Sequence, residues 1–268
     1  MRHMVHKLLK YYVIAKRYLS LSIQKILEYR MAFLLDSLSI LLWMLLDLIW
    51  VYLAFQYTDS VGGYSVWEYL TFLGFYLVGL NSYLFIFHAL PSLQEKIYYG
   101  DIDLTLTKPM NSRFLVSIGV FDLQSIPSML IGTGVIIFAF IKSGHSFDIY
   151  RLSVALYLLV LSVLIFYSIE FSFHIITFWY GKARSVSEVF KSLRNMSKVP
   201  TNLFKPVLEF ILYFVFPVAI MATVPADIIF GRIQYNIVVY YTVLAVVLLV
   251  LSNFLWNYAL RSYSSASS

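Results

Sequence analysis

The sequence predicts an all-α integral membrane protein, and its composition, its long apolar runs and its uneven distribution of basic residues each support that prediction. Of the 268 residues, 60% are hydrophobic and only 13% are charged. Soluble domains average about 45–50% apolar and about 25% charged residues. The composition therefore excludes a soluble globular domain, an intrinsically disordered chain and a disulfide scaffold.

Six apolar stretches are long enough to cross a bilayer as helices, which requires about 20 residues each. They predict one transmembrane domain over 1–268, with spans near 31–56, 66–90, 113–141, 151–180, 207–224 and 236–258. Pro217 interrupts the fifth stretch and Pro225 follows it closely. Because proline removes a backbone donor and breaks a helix, we predict a short or re-entrant segment before the last helix.

The basic residues predict the orientation of the spans. The chain has 20 Lys and Arg residues, and the predicted outer loops contain only Lys142, Arg151 and Arg232. Cytoplasmic loops are enriched in Lys and Arg, so both termini are predicted to lie in the cytoplasm. The longer inner loops are then 91–112 and 181–207, and the second of these contains an amphipathic stretch.

Residues 1–30 are predicted to form an amphipathic helix that lies in the inner membrane interface. Apolar residues recur at helical spacing between Leu8 and Leu27, among several lysines and Arg17. Lysines are spread along the whole segment and no cleavage site follows an apolar core, so no signal peptide is predicted. A cationic helix of this kind binds a membrane surface through its apolar face. A soluble helix docked on a partner protein is the alternative interpretation.

The chain lacks the motifs of several catalytic and metal-binding classes. It has no cysteine and its five histidines are scattered, so we predict no thiol catalysis and no metal site. The Gly181-Lys182 pair has Ile176 where a phosphate-binding loop requires glycine. We therefore expect neither enzyme activity nor a cofactor in this chain. Membrane topology, rather than nucleic-acid binding, explains its net charge of +6.

Two carboxylates interrupt the first apolar span. Asp36 and Asp47 are 11 residues apart, and 11 steps of about 100° return close to the starting direction, so both project from one helix face. A carboxylate in the membrane interior costs about 2.5 to 3.5 kcal/mol. Two interpretations are consistent with this cost. The face lines a translocation path that attracts cations, or each carboxylate forms a hydrogen bond at a helix contact. The sequence leaves both interpretations open.

Three further ionisable residues raise the same question. Glu170 and His174 lie one helical turn apart in the fourth span, and Asp122 precedes a kink that we predict at Pro127. Ionisable residues within spans commonly mark transport pathways. Asp122, Glu170 and His174 are therefore further candidates for the translocation path.

The loop between the second and third spans carries a pattern that resembles ABC-2 type permeases. Residues 93–111 are similar to the pattern Gly-x-Leu-Asp followed by Leu-x-Lys-Pro of a bacterial, viologen-exporter-like permease group. The matching residues are Gly100, Ile102 in place of Leu, Asp103, Leu106, Lys108 and Pro109. Residues 199–204, 216–220 and 224–231 resemble the second signature of the same group.

The resemblance implies the ABC-2 exporter fold and a role as the membrane subunit of an ATP-driven exporter in the bacterial inner membrane. It implies a dimeric pathway with a second permease chain, and separate ATPase subunits that bind ATP and Mg²⁺. The substrate would be a hydrophobic or cationic compound. The loop at 91–112 would couple the spans to the ATPase. Its candidate contact residues are Glu95, Lys96, Gly100, Asp101, Asp103, Lys108 and Pro109.

A short helix is predicted within this coupling loop. Ser92 and Glu95 have the spacing of a capping box, and Gly100 is placed to end the helix. A rigid helix at the membrane surface can act as a lever that carries motion from an ATPase to the spans.

Two other functional classes remain open from the sequence. A cation-coupled secondary carrier would use Asp36, Asp47 or Glu170 as its coupling site, although no internal repeat is visible. A membrane-embedded transferase would need a catalytic cluster, and these residues do not form one.

Overall fold

The computed structural model describes the backbone of residues 2–181 and 184–263, and the side chains of 9–181 and 187–263. In these residues the chain is helical, and its extended pairing is limited to an isolated bridge between Val61 and Tyr64. The α-helices α1 to α13 are, in order, Arg2–Glu28, Arg30–Tyr57, Val66–Phe87, Ser92–Tyr98, Asp103–Leu106, Ser112–Ser117, Ser125–Ser143, Ile149–Ile175, Thr177–Tyr180, Arg184–Asn195, Pro206–Phe210, Thr223–Ile229 and Asn236–Ser262.

Five helices in the described part of the chain are long and apolar enough to cross a membrane, namely α2, α3, α7, α8 and α13. The prediction of an all-α membrane fold is therefore confirmed. The loops at 58–65, 144–148 and 230–235 lie at one end of the bundle, where Arg232 contacts Glu68. We name this the outer end, following the orientation that the basic residues predict, and the opposite one the inner end.

Helices α3 and α8 form the centre of the bundle, with α7 packed on α3 and α13 packed on α8. The contact between α3 and α7 is close because each helix presents a glycine to the other. A Cβ atom on Gly74 would lie 2.8 Å from the carbonyl oxygen of Gly132. Small residues allow such close approach in membranes, where packing rather than exclusion of water drives helix association.

The third apolar stretch differs from the predicted span at 113–141. The structure divides it into α6 and α7, which are separated by a non-helical link at 118–124. The Arg113 side chain holds α6 in place, since its guanidinium donates to the Tyr167 hydroxyl of α8 at 3.0 Å. Pro127 lies in the first turn of α7, where proline is tolerated, so the predicted kink does not form.

Helix α2 lies at the edge of the bundle, and Val51 is the one residue of this fully described helix that is buried. Its carboxylates make the contacts that orient it. Asp47 accepts from the Lys198 ammonium at 2.5 Å, and Asp36 accepts from the Gln124 amide at 2.7 Å. Each carboxylate therefore accepts a hydrogen bond from another part of the chain.

Residues 184–203, which we name the polar segment, extend from the inner end of the bundle to the outer end. Just before the segment, a Cβ atom on Gly181 would lie 3.9 Å from the Tyr98 ring of α4 at the inner end. Near its end, the Asn202 amide donates to the Gly62 carbonyl at the outer end. The structure therefore corrects the prediction that this stretch belongs to an inner loop.

Residues 206–230 form a hairpin at the outer end, which we name the outer hairpin. The first arm is α11 with a π-helical turn, the second arm is α12, and the chain breaks at Pro217 because proline cannot donate a backbone hydrogen bond. Every residue from 217 to 230 is buried. The predicted span at 207–224 is thus corrected to a re-entrant hairpin, the alternative that the two prolines indicated.

We expect the ion pair between Lys198 and Asp47 to stabilise the folded chain, because removing one partner leaves the other charge unpaired among apolar helices. Asp47→Ala and Lys198→Ala should each lower the midpoint of thermal unfolding in detergent. The double variant should lose less stability than the two single variants combined. The coupling free energy should be about 0.6 to 1.7 kcal/mol.

Ser39→Ala on the same helix is the matched control, since the Ser39 hydroxyl donates to the Leu35 carbonyl of its own helix. It should leave the midpoint unchanged. Strict additivity of the Asp47 and Lys198 effects would show that the pair does not stabilise the fold.

Candidate translocation and coupling site

Two short helices, α4 and α5, occupy half of the predicted coupling loop at 91–112. Leu93, Ile97 and Ile102 are buried, and α4 packs against α8 and α9. These contacts join the loop to the central helix of the bundle.

The sequence prediction is wrong for the start of α4 and right for its end. The predicted capping box is wrong, because the Ser92 hydroxyl donates to the Ala89 carbonyl at 2.7 Å and the residue before it already has helical backbone angles. Gly100 ends the helix as predicted. Its positive φ of 81° lets the Ile102 N–H reach the Lys96 carbonyl at 3.0 Å.

The predicted coupling residues lie at or near the surface of the loop. Glu95, Asp101, Lys108 and Pro109 are exposed, and Lys96, Gly100 and Asp103 are half-buried. The sequence prediction omitted three apolar side chains, Tyr98, Tyr99 and Leu104, which are exposed by 52%, 63% and 71%. The adjacent tyrosines before Gly100 were the available signal. An exposed apolar patch rimmed by charges is typical of a protein interface.

One side of α10, the helical part of the polar segment, packs on α8. Phe190 is buried, and its ring lies 6.1 Å from the Phe166 ring and 6.0 Å from the Phe173 ring. The Arg194 guanidinium lies over the Phe190 ring at 6.0 Å. This aromatic contact explains why an otherwise polar helix lies against an apolar one.

The opposite side of α10 carries Glu188, Lys191, Ser192 and Asn195, which are all exposed, and we name it the polar face. The Lys191 ammonium donates to the Glu188 carboxylate at 2.8 Å. The amphipathic pattern of this stretch is visible in the sequence. Its many charged residues led to the prediction that it forms a loop. A polar face beside apolar helices needs water, a polar substrate or another chain as its partner.

The predicted translocation residues do not form one site. Asp36 and Asp122 lie together, since Asp36 accepts from the Gln124 side chain and Asp122 from the Gln124 backbone N–H at 3.3 Å. Asp47 contacts Lys198 instead, which is the kind of helix contact that the structural interpretation predicts. A role for these carboxylates in transport stays a prediction.

Glu170 and His174 form a separate pair within α8. Both are buried, and Oε1 of Glu170 lies 3.4 Å from Nε2 of His174. No group of three His, Asp or Glu side chains in the described part of the chain is arranged to hold a metal ion. The pair therefore stands as a polar contact inside the bundle, next to the face of α8 on which α10 packs.

Polar contacts fasten the outer hairpin to the outer loops. The Tyr64 hydroxyl donates to the Asp227 carboxylate at 2.5 Å, and the Arg232 guanidinium lies over the Tyr64 ring at 4.5 Å while it contacts Glu68 at 2.6 Å. Burial raises the pKa of Tyr64 far above its usual value and the pKa of Asp227 to about 6. Tyr64 therefore keeps its proton at neutral pH and remains the donor.

The outer hairpin reaches well down the length of α3. A Cβ atom on Gly79 would lie 2.9 Å from the Met221 side chain, and Gly79 is the fourteenth of the 22 residues of α3. A larger residue at this position would displace the tip of the hairpin. The hairpin and α3 therefore close the outer part of the bundle interior together.

Comparison with known proteins gives one family. No curated protein and no solved structure gives a significant match to the chain. A family model described as ABC-2 family transporter protein matches residues 41–267, which is most of the chain. Members of this family are permease components that associate with ABC ATPases. The chain therefore belongs to the ABC-2 transporter family and is a multi-pass membrane permease component of an ABC transporter.

Proposed function

We propose that the chain forms half of the transport path of an ATP-driven exporter in the bacterial inner membrane, with both termini in the cytoplasm. A second permease chain supplies the other half. Separate ATPase subunits bind ATP and Mg²⁺ and perform the hydrolysis, while this chain is not catalytic.

The polar face is the observation that carries the proposal. Charged side chains within a bilayer face protein or water, because lipid does not solvate them. The polar segment extends between the two ends of the bundle, yet Glu188, Lys191 and Asn195 are exposed in the single chain. A second permease chain that faced this surface would enclose a water-accessible path. With the five apolar helices, the polar segment then makes six crossings.

The inner end supports coupling to an ATPase. The coupling loop exposes three apolar side chains, Tyr98, Tyr99 and Leu104, which we name together the apolar patch, and the exposed charges of Glu95 and Asp101 belong to the same loop. The buried residues of α4 hold this patch against α8. A docked ATPase would therefore move the patch and the central helix as one unit.

The proposed substrate is a hydrophobic or cationic compound. The chain contains 22 Tyr, 22 Phe and 5 Trp residues, and aromatic rings bind both apolar groups and cations. The position of Asp47 in an apolar span favours a cationic substrate. The Lys198 ammonium weakens this argument, because it offsets the negative charge of Asp47. For the same reason Asp47 is a poor candidate for the coupling site of a cation-coupled carrier.

We expect Leu104→Asp to weaken binding of the ATPase, because it places a charge in the exposed apolar patch. The affinity of the chain for the ATPase subunit should fall about tenfold, which corresponds to about 1.4 kcal/mol. Less ATPase should therefore co-purify with the variant. Phe147→Asp is the matched control, because Phe147 is 67% exposed at the outer end. Equal ATPase binding by the two variants would contradict the assignment of this loop.

The transport path can be tested with single cysteines, because the chain has none of its own. A water-soluble maleimide should react with Asn195→Cys and block substrate-stimulated ATP hydrolysis in the assembled transporter, since the adduct would fill the path. Val246→Cys, at an apolar position of α13 that is 56% exposed, should stay unlabelled because a thiolate does not form in lipid.

Failure of Asn195→Cys to react, while a cysteine in the outer loop reacts, would show that water does not reach the polar face. Full reaction without any loss of substrate-stimulated hydrolysis would place the face in water but outside the path.

A further inference from the structure

A cavity of about 460 Å³ lies where α1 meets α2, beside the link at 118–124. We name it the junction cavity. Helix α1 ends just before Tyr29, where the backbone turns into α2. The Ser22 hydroxyl of α1 accepts from the Phe121 N–H of the link at 2.7 Å. The cavity therefore has walls from three elements at the inner end of the bundle.

The walls of the junction cavity carry charges of both signs. Asp36 and Asp122 lie on one side, where Gln124 joins them through hydrogen bonds of 2.7 and 3.3 Å. Lys25 of α1 is the basic residue among those that line the cavity. His88 lies beside one of these carboxylates. Its Nδ1 atom is 3.9 Å from the Asp122 carboxylate.

Asp36 is exposed although it belongs to an apolar span. In the described part of the chain it forms no ion pair, and its neighbour Gln124 is neutral. A carboxylate within an apolar span is stabilised by a cationic partner. The apolar side chains of Ile26 and Phe33 line the same cavity, and the neighbouring Leu34 of α2 is 58% exposed.

We propose that the junction cavity binds the headgroup of a phospholipid that carries a primary ammonium group. The ammonium contacts Asp36 and Asp122, the phosphate contacts Lys25, and the first part of an acyl chain lies along Phe33 and Ile26. The lipid comes from the cytoplasmic leaflet if the proposed orientation holds. The site itself does not depend on transport.

The charge pattern selects this headgroup over others. An anionic headgroup without an ammonium would be repelled by the two carboxylates and would leave Asp36 without a partner. A choline headgroup has the positive charge but no N–H group to donate to a carboxylate. A simple amine would satisfy the carboxylates and leave Lys25 without a role.

The test is photo-crosslinking of the full chain in vesicles of dioleoylphosphatidylcholine, without ATP. The vesicles contain a trace of phosphatidylethanolamine or phosphatidylcholine with the same diazirine-bearing acyl chain. Mass spectrometry measures the adducts on peptides that cover 22–36 and 118–124. We expect adducts there to be about fivefold more abundant for the ethanolamine lipid, the preference that one additional hydrogen bond provides.

Asp36→Asn should lower this preference to the part that Asp122 provides, and Asp36→Glu should restore it. Ser39→Ala is the matched control on the same helix and should keep the preference, because the Ser39 hydroxyl donates to the Leu35 carbonyl of its own helix. Restoration by Asp36→Glu shows that the loss in Asp36→Asn does not arise from misfolding. Equal labelling by the two lipids in the unmodified chain, or an unchanged preference in Asp36→Asn, would overturn the proposal.

Lys25→Gln separates the phospholipid from a simple amine. We expect it to weaken labelling by the ethanolamine lipid about threefold, while a diazirine-bearing alkylammonium labels the site as before. If Lys25→Gln changes neither probe, the phosphate contact is absent and the assignment to a phospholipid is wrong. All of these results are independent of ATP hydrolysis, so they remain valid even if the proposed transport function fails.

Discussion

The ion pair between Lys198 and Asp47 fixes the part of the polar segment that follows α10 against α2. A lysine within a membrane needs water or a carboxylate as its partner, and Asp47 supplies the carboxylate at 2.5 Å. The pair also orients α2, which buries only Val51. With this charge satisfied, the chain continues from Lys198 to Asn202, where it meets the outer loop.

Helix α8 connects the two ends of the molecule. At the inner end it contacts α4 of the coupling loop, and at the outer end it contacts the outer hairpin through α12. Phe166 and Phe173 of the same helix hold α10 and thus the position of the polar face. Movement of the coupling loop can therefore reach the polar segment and the outer hairpin through one rigid element. This arrangement explains how ATP hydrolysis on another chain could change access to the proposed path.

Local features of the fold could be predicted from the sequence. Apolar runs of sufficient length predicted α2, α3, α8 and α13, because a long apolar helix enters a membrane without help from distant residues. Gly100 ends α4 through its positive φ, and Pro217 breaks the outer hairpin, since both residues act on their own backbone. The capping box at Ser92 failed because the preceding turn is already helical, which spacing alone does not reveal.

The polar segment could not be predicted, because its charges are offset by distant residues. Lys198 and Asp47 are 151 positions apart. A mean hydropathy over a short window treats each charged residue as unfavourable in the membrane, because its partner lies outside the window. The grouping of Asp36 and Asp122 around Gln124 likewise depends on the packing of the link at 118–124 against α1. Sequence analysis identified the carboxylates, but only the fold separates them into different environments.

The most direct test of this account is the side of the membrane on which Leu203 lies. Leu203 is 47% exposed and follows the contact of Asn202 with the outer loop. In intact cells, an impermeant maleimide should label Leu203→Cys to the same extent as Asp59→Cys in the outer loop. Asp101→Cys in the coupling loop should react only after the cells are lysed. Labelling of Leu203→Cys only after lysis would contradict the account, because the polar segment would then be an inner loop.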